Sequence, residues 1–334
     1  MDKNRTMRAT RNDILDSLRV VAIPTRTRFR GISVREAALW QGPEGWTEFS
    51  PFPEYRDEEA AQWLSAAIEF GHEQTPPILR SAINVNATVP AIAAHEIAGV
   101  LDRFPGCNTA KVKVAEENQT LRDDMERVRA VREYLGEDGK IRVDANGGWS
   151  VKEAEEALLA LLPYGLEYAE QPCATVAELT ILRQRLAHSR VLIAADESVR
   201  KAQDPIEVAR QGAADIVVIK AQPLGGIRSA LSISDAAGLP TVVSSALDTS
   251  VGLSMGLHLA GALPAQPFAA GLGTAALLGG DVTEAPLLPV NGQIEVRRVT
   301  PSESLLSRYA APSDRTRWWE ERITRCYKHL EDKI

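Results

Sequence analysis

Apolar and polar positions along this 334-residue chain change period several times, and each change marks an element. Residues 15–23 and 32–40 are apolar runs that read as strands, parted by the polar turn Pro24-Thr25-Arg26-Thr27-Arg28. Gly42-Pro43-Glu44-Gly45 is a tight-turn signal ahead of a further extended stretch at 46–53. Asp57, Glu58 and Glu59 then open a helix, where acidic side chains suit the N-terminal dipole, and Ala61, Leu64, Ala67 and Ile68 follow at helical spacing. Together these elements make a small α+β unit.

From residue 81 the pattern settles into a beat. Residues 81–88 alternate with strand period, and a helix is expected over 90–103. Short β-branched or apolar runs recur at 109–114, 141–144, 165–170, 191–196, 215–220 and 241–245, and Gly271-Leu272-Gly273-Thr274 marks an eighth strand position. Helical patterns lie between them: the charged stretch 120–135 is one, and Ser150 with Glu153 makes a capping box for another. Lys113, Asp144, Glu170, Asp196 and Lys220 each end or interrupt one of these runs, at intervals of 31, 26, 26 and 24 residues. A strand, a helix and two loops need roughly 30 residues, so the beat is that of successive βα units. In a (β/α) barrel all strand ends meet at one mouth, where side chains read as catalytic. Strand side chains alternate, so Lys111 shares the face of Lys113. Past residue 286 the beat is lost; 292–296 reads as a strand and 318–330 as a charged helix, placed back against the N-terminal unit. The expected division is a capping unit over 1–80, a barrel over 81–285 and a tail over 286–334.

Composition narrows the partners. With 44% hydrophobic and 25% charged residues the make-up is that of an ordinary globular protein, and a net charge of -7 disfavours nucleic acid and anionic membrane. No stretch approaches the roughly 20 apolar residues of a membrane span, the start Met1-Asp2-Lys3-Asn4-Arg5 is not that of a signal peptide, and a cytoplasmic location is expected. Cys107, Cys173 and Cys326 lack metal-ligand spacing, so neither a disulfide framework nor a zinc site is indicated.

A charge at the end of an apolar run is expensive unless it is paired or bound to something. Three carboxylates at one mouth would repel one another without a cation between them. All-oxygen ligation by Asp144, Glu170 and Asp196, with positions open to water and substrate, suits Mg²⁺, with Mn²⁺ as a substitute. Asn146 and Glu197 are expected to support these ligands, as is Lys111. Lysines beside such a metal point to proton transfer at carbon, because the cation stabilises the dianion formed when a proton leaves next to a carboxylate. A lysine serves as the base when its neighbours bring an ammonium pKa of about 10.4 down towards roughly 7–8. Lys111 supplies a like charge beside Lys113.

The succession Lys-x-Lys, Asp-x-Asn, Glu-Gln-Pro, Asp-Glu-Ser and Ile-Lys ahead of Pro-Leu-Gly-Gly resembles the enolase superfamily, in its muconate-lactonising-enzyme-like branch. Within that branch, the runs 30–37 and 45–52 are similar to those of actinobacterial-type o-succinylbenzoate synthases. The resemblance spans nearly the whole chain. It implies an α/β fold, a modified TIM barrel of the (β/α)7β kind with an α+β cap from the N-terminal part and the C-terminal tail. It also implies Asp144, Glu170 and Asp196 as metal ligands, with Lys113 and Lys220 as the acid/base pair on opposite faces of the substrate.

The implied reaction is loss of water from the small carboxylate 2-succinyl-6-hydroxy-2,4-cyclohexadiene-1-carboxylate, which becomes aromatic on the way to menaquinone. Lys113 takes the α-proton and then assists departure of hydroxide from the same face, while Lys220 stays cationic across the ring. The succinyl carboxylate is expected near Ser244, Ser245, Gly271 and Leu272. Cap loops near 24–28 and 50–53 are expected to close the mouth against water, although 24–28 is short where many members carry a longer, glycine-containing loop. A monomer or weak homo-oligomer is implied. The rival reading is N-succinylamino-acid racemase, which needs both lysines as bases, and one site could do either. Dipeptide epimerase is disfavoured because 244–248 and 271–274 carry no Asp-x-Asp pair, and a dead barrel with a binding role would have lost a ligand or a lysine.

Overall fold

The computed structural model describes residues 9–29, 31–200 and 206–331; the start at 1–5 and Arg30 of the cap motif lie outside them. Helix α1 (Arg11–Asp16) is capped by Thr10, whose hydroxyl accepts from Asp13 N. Strands β1 (Arg19–Phe29), β2 (Ile32–Gly42) and β3 (Gly45–Phe49) form an antiparallel sheet in that order, backed by α2 (Asp57–His72). The stretch 24–28 is not the expected turn. β1 runs through it, and only its pairing with β2 lapses between Pro24 and Phe29. Pro24 has no N–H to give to a ladder, but Thr25 and Thr27 are β-branched and keep the chain extended, so the reversal waits for Gly31 at φ +79°.

The expected strand at 81–88 is two. β4 (Ala82–Asn84) leaves the barrel to pair with a strand of the tail, while β5 (Ala87–Val89) enters it. Around the barrel follow β6 (Thr109–Lys113), β7 (Lys140–Asp144), β8 (Leu166–Glu170), β9 (Leu192–Ala195), β10 (Ile216–Ile219) and β11 (Thr241–Val243). Among the described residues these make one parallel sheet of seven strands, each hydrogen-bonded to its sequence neighbour. Residues 270 and 271 close it without forming a strand: Asn86 N donates to Ala270 O at 2.9 Å and Gly271 N to Val243 O at 2.8 Å. Backbone contact is this close because Gly271 has no side chain; a Cβ there would lie 2.6 Å from Ser244 Oγ.

Helices α3 (Ile97–Leu101), α4 (Leu121–Leu135), α5 (Val151–Leu161), α6 (Val176–Arg185), α7 (Glu197–Arg200), α8 (Glu207–Arg210), α9 (Ile227–Ala237) and α10 (Ser250–Ala262) alternate with the strands. The helix expected over 90–103 shrinks to α3 and one preceding 3-10 turn. Gly99 weakens it from inside. Thr120, Ser150 and Thr175 each close a capping box three residues on, which fixes where α4, α5 and α6 leave their strands. In the tail, β12 (Gln293–Glu295) pairs with β4, followed by α11 (Glu303–Arg308) and α12 (Ser313–Glu331). Two large apolar cores result, beside a small third one of Tyr168, Ala194, Ile216, Val218 and Val242 on β8 to β11. One fills the barrel wall; the other joins Trp40, Phe49 and Trp63 of the cap to Trp319 and Ile323 of α12.

Candidate active site

The C-terminal ends of β6 to β10 deliver the charged residues to one mouth. Side chains of β6 alternate, so Lys111 and Lys113 emerge on the same side, exposed by only 7% and 8%. Parallel pairing aligns Lys113 with Asp144 and Asp144 with Glu170, which sets three charges in a row across adjacent strands. Asp196 and Lys220 follow β9 and β10 by one residue. β6 and β10 are four places apart in the sheet order, about half the way round a barrel of eight positions, so Lys113 and Lys220 face each other across the mouth.

Each lysine meets a carboxylate. Lys113 Nζ donates to Asp144 Oδ2 and to Asn146 Oδ1, both at 2.5 Å. Lys111 Nζ lies 2.6 Å from Glu170 Oε1 and 3.2 Å from Asp144 Oδ2. Lys220 Nζ donates to Asp196 Oδ2. Burial disfavours the Asp144 anion, yet Lys113 and Lys111 outweigh it and hold the carboxyl well below the usual range. Burial opposes the Lys111 charge as well, and Glu170 and Asp144 overcome it, raising the ammonium. Glu170 has less help; burial pushes it up to about 7 against the pull of Lys111. Lys111 is therefore a counter-ion to two carboxylates rather than a bare charge aimed at Lys113.

The loops after these strands are held in unusual backbone shapes. Asn146 and Gln171 adopt left-handed φ values of +46° and +40°, strained for a side chain as long as glutamine. Gln171 is fully buried and its amide is saturated: Oε1 accepts from Asp196 N at 2.9 Å and Ser198 N at 3.1 Å, while Nε2 donates to Ser198 Oγ at 2.7 Å and Cys173 O at 2.8 Å. It thereby fixes the backbone that carries Asp196. Its signal in the sequence is an amide directly after a strand-end carboxylate. Asn146 donates to Glu197 Oε1 at 3.2 Å, which ties together the segments after β7 and β9.

One cavity is lined by Lys111, Lys113, Asp144, Asn146, Asp196, Glu197, Lys220, Ser244, Ser245 and Gly271. Glu170 sits behind Lys111, 1% exposed. Leu272 does not belong to the lining: Gly271 faces the cavity, and the next side chain turns away to pack at Gly256 of α10. Ser245 Oγ is engaged in barrel closure, donating to Gly271 O at 2.8 Å and meeting Thr274 Oγ1 at 2.9 Å. The roof comes from the cap and was not legible residue by residue: Phe29, Phe52, Tyr55 and Trp63. Phe29 places its ring centroid 5.7 Å from Lys113 Nζ.

Among the described residues no three His, Cys, Asp or Glu side chains form a ready-made metal-ligand group; the three carboxylates meet ammonium groups instead. The donor set nevertheless fits a hard dication. It is all oxygen, it comes from three adjacent strand ends, and Glu170 Oε2 is buried with no hydrogen-bond partner in the described structure.

A barrel with this cap and this ring of lysines and carboxylates defines an enzyme of the enolase superfamily. Residues 93–301 match the family described as Enolase C-terminal domain-like, and residues 20–71 match Enolase N-terminal domain-like. The fold is that of the muconate lactonizing enzyme from Pseudomonas putida, with a TM-score of 0.72 at 19% identity over 88% of this chain and 98% of that one. An o-succinylbenzoate synthase of Mycobacterium tuberculosis (strain ATCC 25618 / H37Rv) is 53% identical over 318 residues, 95% of each chain. One of Mycobacterium ulcerans (strain Agy99) is 52% identical over 323 residues, 96% of this chain and 97% of the relative. The chain belongs to the o-succinylbenzoate synthases, a lyase family of the muconate-lactonising-enzyme-like branch.

Proposed function

We propose that the cavity dehydrates 2-succinyl-6-hydroxy-2,4-cyclohexadiene-1-carboxylate to 2-succinylbenzoate, a step toward menaquinone. The observation that carries this reading is a pair of lysines facing one another across the mouth, each on a carboxylate, in a chain 52% identical to an o-succinylbenzoate synthase over nearly its whole length. Lys113 Nζ takes the proton from C1. As an ammonium it then gives that proton to the C6 hydroxyl on the same face; the C–O bond breaks, water leaves and the ring becomes aromatic. Lys220, held by Asp196, stays charged on the other face against the electron-rich ring.

Asp144, Glu170 and Asp196 would hold Mg²⁺, or Mn²⁺ in its place. When bound, the cation supplies positive charge to the substrate carboxylate, which makes the adjacent proton removable. With Lys113 as the free base, the carboxylates of the mouth face the ammonium groups of Lys111 and Lys220, and a dication would offset the remaining carboxylate charge together with that of the substrate. The cap excludes water from these charges. In this reading 1–80 caps, 81–285 catalyses and 286–334 braces the cap, in a cytoplasmic monomer or weak homo-oligomer; no described helix is long and apolar enough to cross a membrane.

Lys113→Ala tests the assignment. Turnover is expected to fall by about 10² to 10⁴-fold while calorimetric Mg²⁺ affinity stays near wild type, because a base that is not a ligand has been removed. Near-normal turnover would take the base role away from Lys113.

A further inference from the structure

Arg35, Glu48 and Asp248 form a charged cluster that the reaction leaves unused. Arg35 comes from β2 and Glu48 from β3 of the cap, while Asp248 lies in the loop after β11. All are buried, at 2%, 0% and 4% exposure. Apolar side chains of similar volume often join elements as well or better, so holding cap to barrel does not account for three buried ionisable side chains.

Their contacts suggest another role. Arg35 Nε donates to Leu247 O at 3.0 Å, and Nη2 donates to Ser50 O. The guanidinium lies 4.5 Å from the Phe52 ring centroid and 3.8 Å from Asp248 Oδ1. One planar fork therefore grips a carbonyl of the cap loop and a carbonyl of the loop after β11. Leu247 is not glycine, yet its φ is +63°, a backbone shape that persists only when its surroundings fix it. Asp248 Oδ2 braces the same turn by accepting from Ala246 N at 3.3 Å. Glu48 reaches from the cap to the start of α10, accepting from Thr249 Oγ1 at 2.5 Å and Gly252 N at 3.0 Å, and it accepts from Ser50 Oγ at 2.6 Å. A Cβ at position 252 would lie 2.7 Å from Glu48 Cδ, so this approach requires glycine.

The segments being gripped run into two parts of the cavity wall: Phe52 on the cap side, and Ser244, Ser245 and Ala246 on the barrel side. We propose that Arg35 is a positioning residue that sets the spacing of these two parts of the wall and thereby the affinity for the succinyl arm of the substrate. This rests on the proposed reaction and deepens it. Discrimination for the arm comes in part from a side chain outside the cavity lining.

Arg35→Lys keeps the charge and loses the fork. Arg35→Gln keeps a single donor group and is the second variant should the lysine form fail to fold. Both are compared with wild type for kcat, for KM and for calorimetric affinity toward 2-succinylbenzoate, below their unfolding midpoints. KM and the product dissociation constant are expected to rise about tenfold or more, with kcat within about threefold, since no lysine or carboxylate of the mouth is touched. A folded variant with wild-type KM and product affinity would overturn the inference, and so would a loss confined to kcat. A wild-type chain that neither turns over the diene nor binds 2-succinylbenzoate would overturn the proposed reaction instead.

Discussion

Lys111 and Lys113 are neighbours on one face of one strand, and their partners separate their roles. Lys111 is clamped between Glu170 and Asp144, whereas Lys113 shares Asp144 with nothing deeper than Asn146 and lies under the ring of Phe29. On the proposed reaction the first neutralises and the second acts. Asp196 is balanced by Lys220 and has its backbone N–H pinned by Gln171. Asp196→Asn should keep that backbone bond and lose ligand charge, lowering Mg²⁺ affinity by about tenfold or more in a calorimetric titration. Unchanged affinity would remove Asp196 from the metal set. At this scale the sequence was legible wherever a charge ended an apolar run. It was silent about the work of Gln171 and about Trp63, and gave Phe52 only as part of a cap loop at 50–53, because an amide or an aromatic in such places reads equally well as loop or core.

Elements were legible in proportion to how local their causes are. Capping boxes at Thr120, Ser150 and Thr175 are set by residues within one turn, and those helices begin where the boxes put them. β1 and the barrel seam depend on partners far along the chain. Residues 24–28 look like a turn, yet Thr25 bridges to Leu278 and the strand runs on to Phe29, and 270–271 complete the barrel because two strand edges are waiting, with no strand of their own. The tail helix α12 depends on such distant contacts too. Trp319 is fully buried, stands edge-on to Phe49 at 5.7 Å between ring centroids, and donates from Nε1 to Glu36 Oε2 at 2.9 Å. Trp319→Ala should cost about 3–5 kcal/mol in denaturant unfolding, by loss of a large core side chain and of the Glu36 donor. A cost below about 1 kcal/mol would mean that α12 contributes little to the cap.

Over the whole molecule, the cap and the barrel are coupled through buried charge. Burial, with Asp248 beside it, raises Glu48 from 4.5 to about 7, so the folded chain holds a proton there that the unfolded chain has released. The stability this contributes is complete below about pH 4.5 and declines as pH rises through about 7. Glu48→Gln carries the neutral form permanently and can keep the bonds to Thr249, Gly252 and Ser50. Its urea unfolding midpoint should change less between about pH 5 and about pH 8 than that of wild type, and equal slopes would place the pH dependence elsewhere. The most direct measurement on the chain as a whole is to supply the purified protein with the cyclohexadiene substrate and Mg²⁺, then repeat with a chelator, following the diene absorbance and the formation of 2-succinylbenzoate. A parallel polarimeter cell holding an N-succinylamino acid reports any racemase activity of the same site. The expected result is aromatisation that requires the metal; a diene signal unchanged in the presence of Mg²⁺ would contradict it.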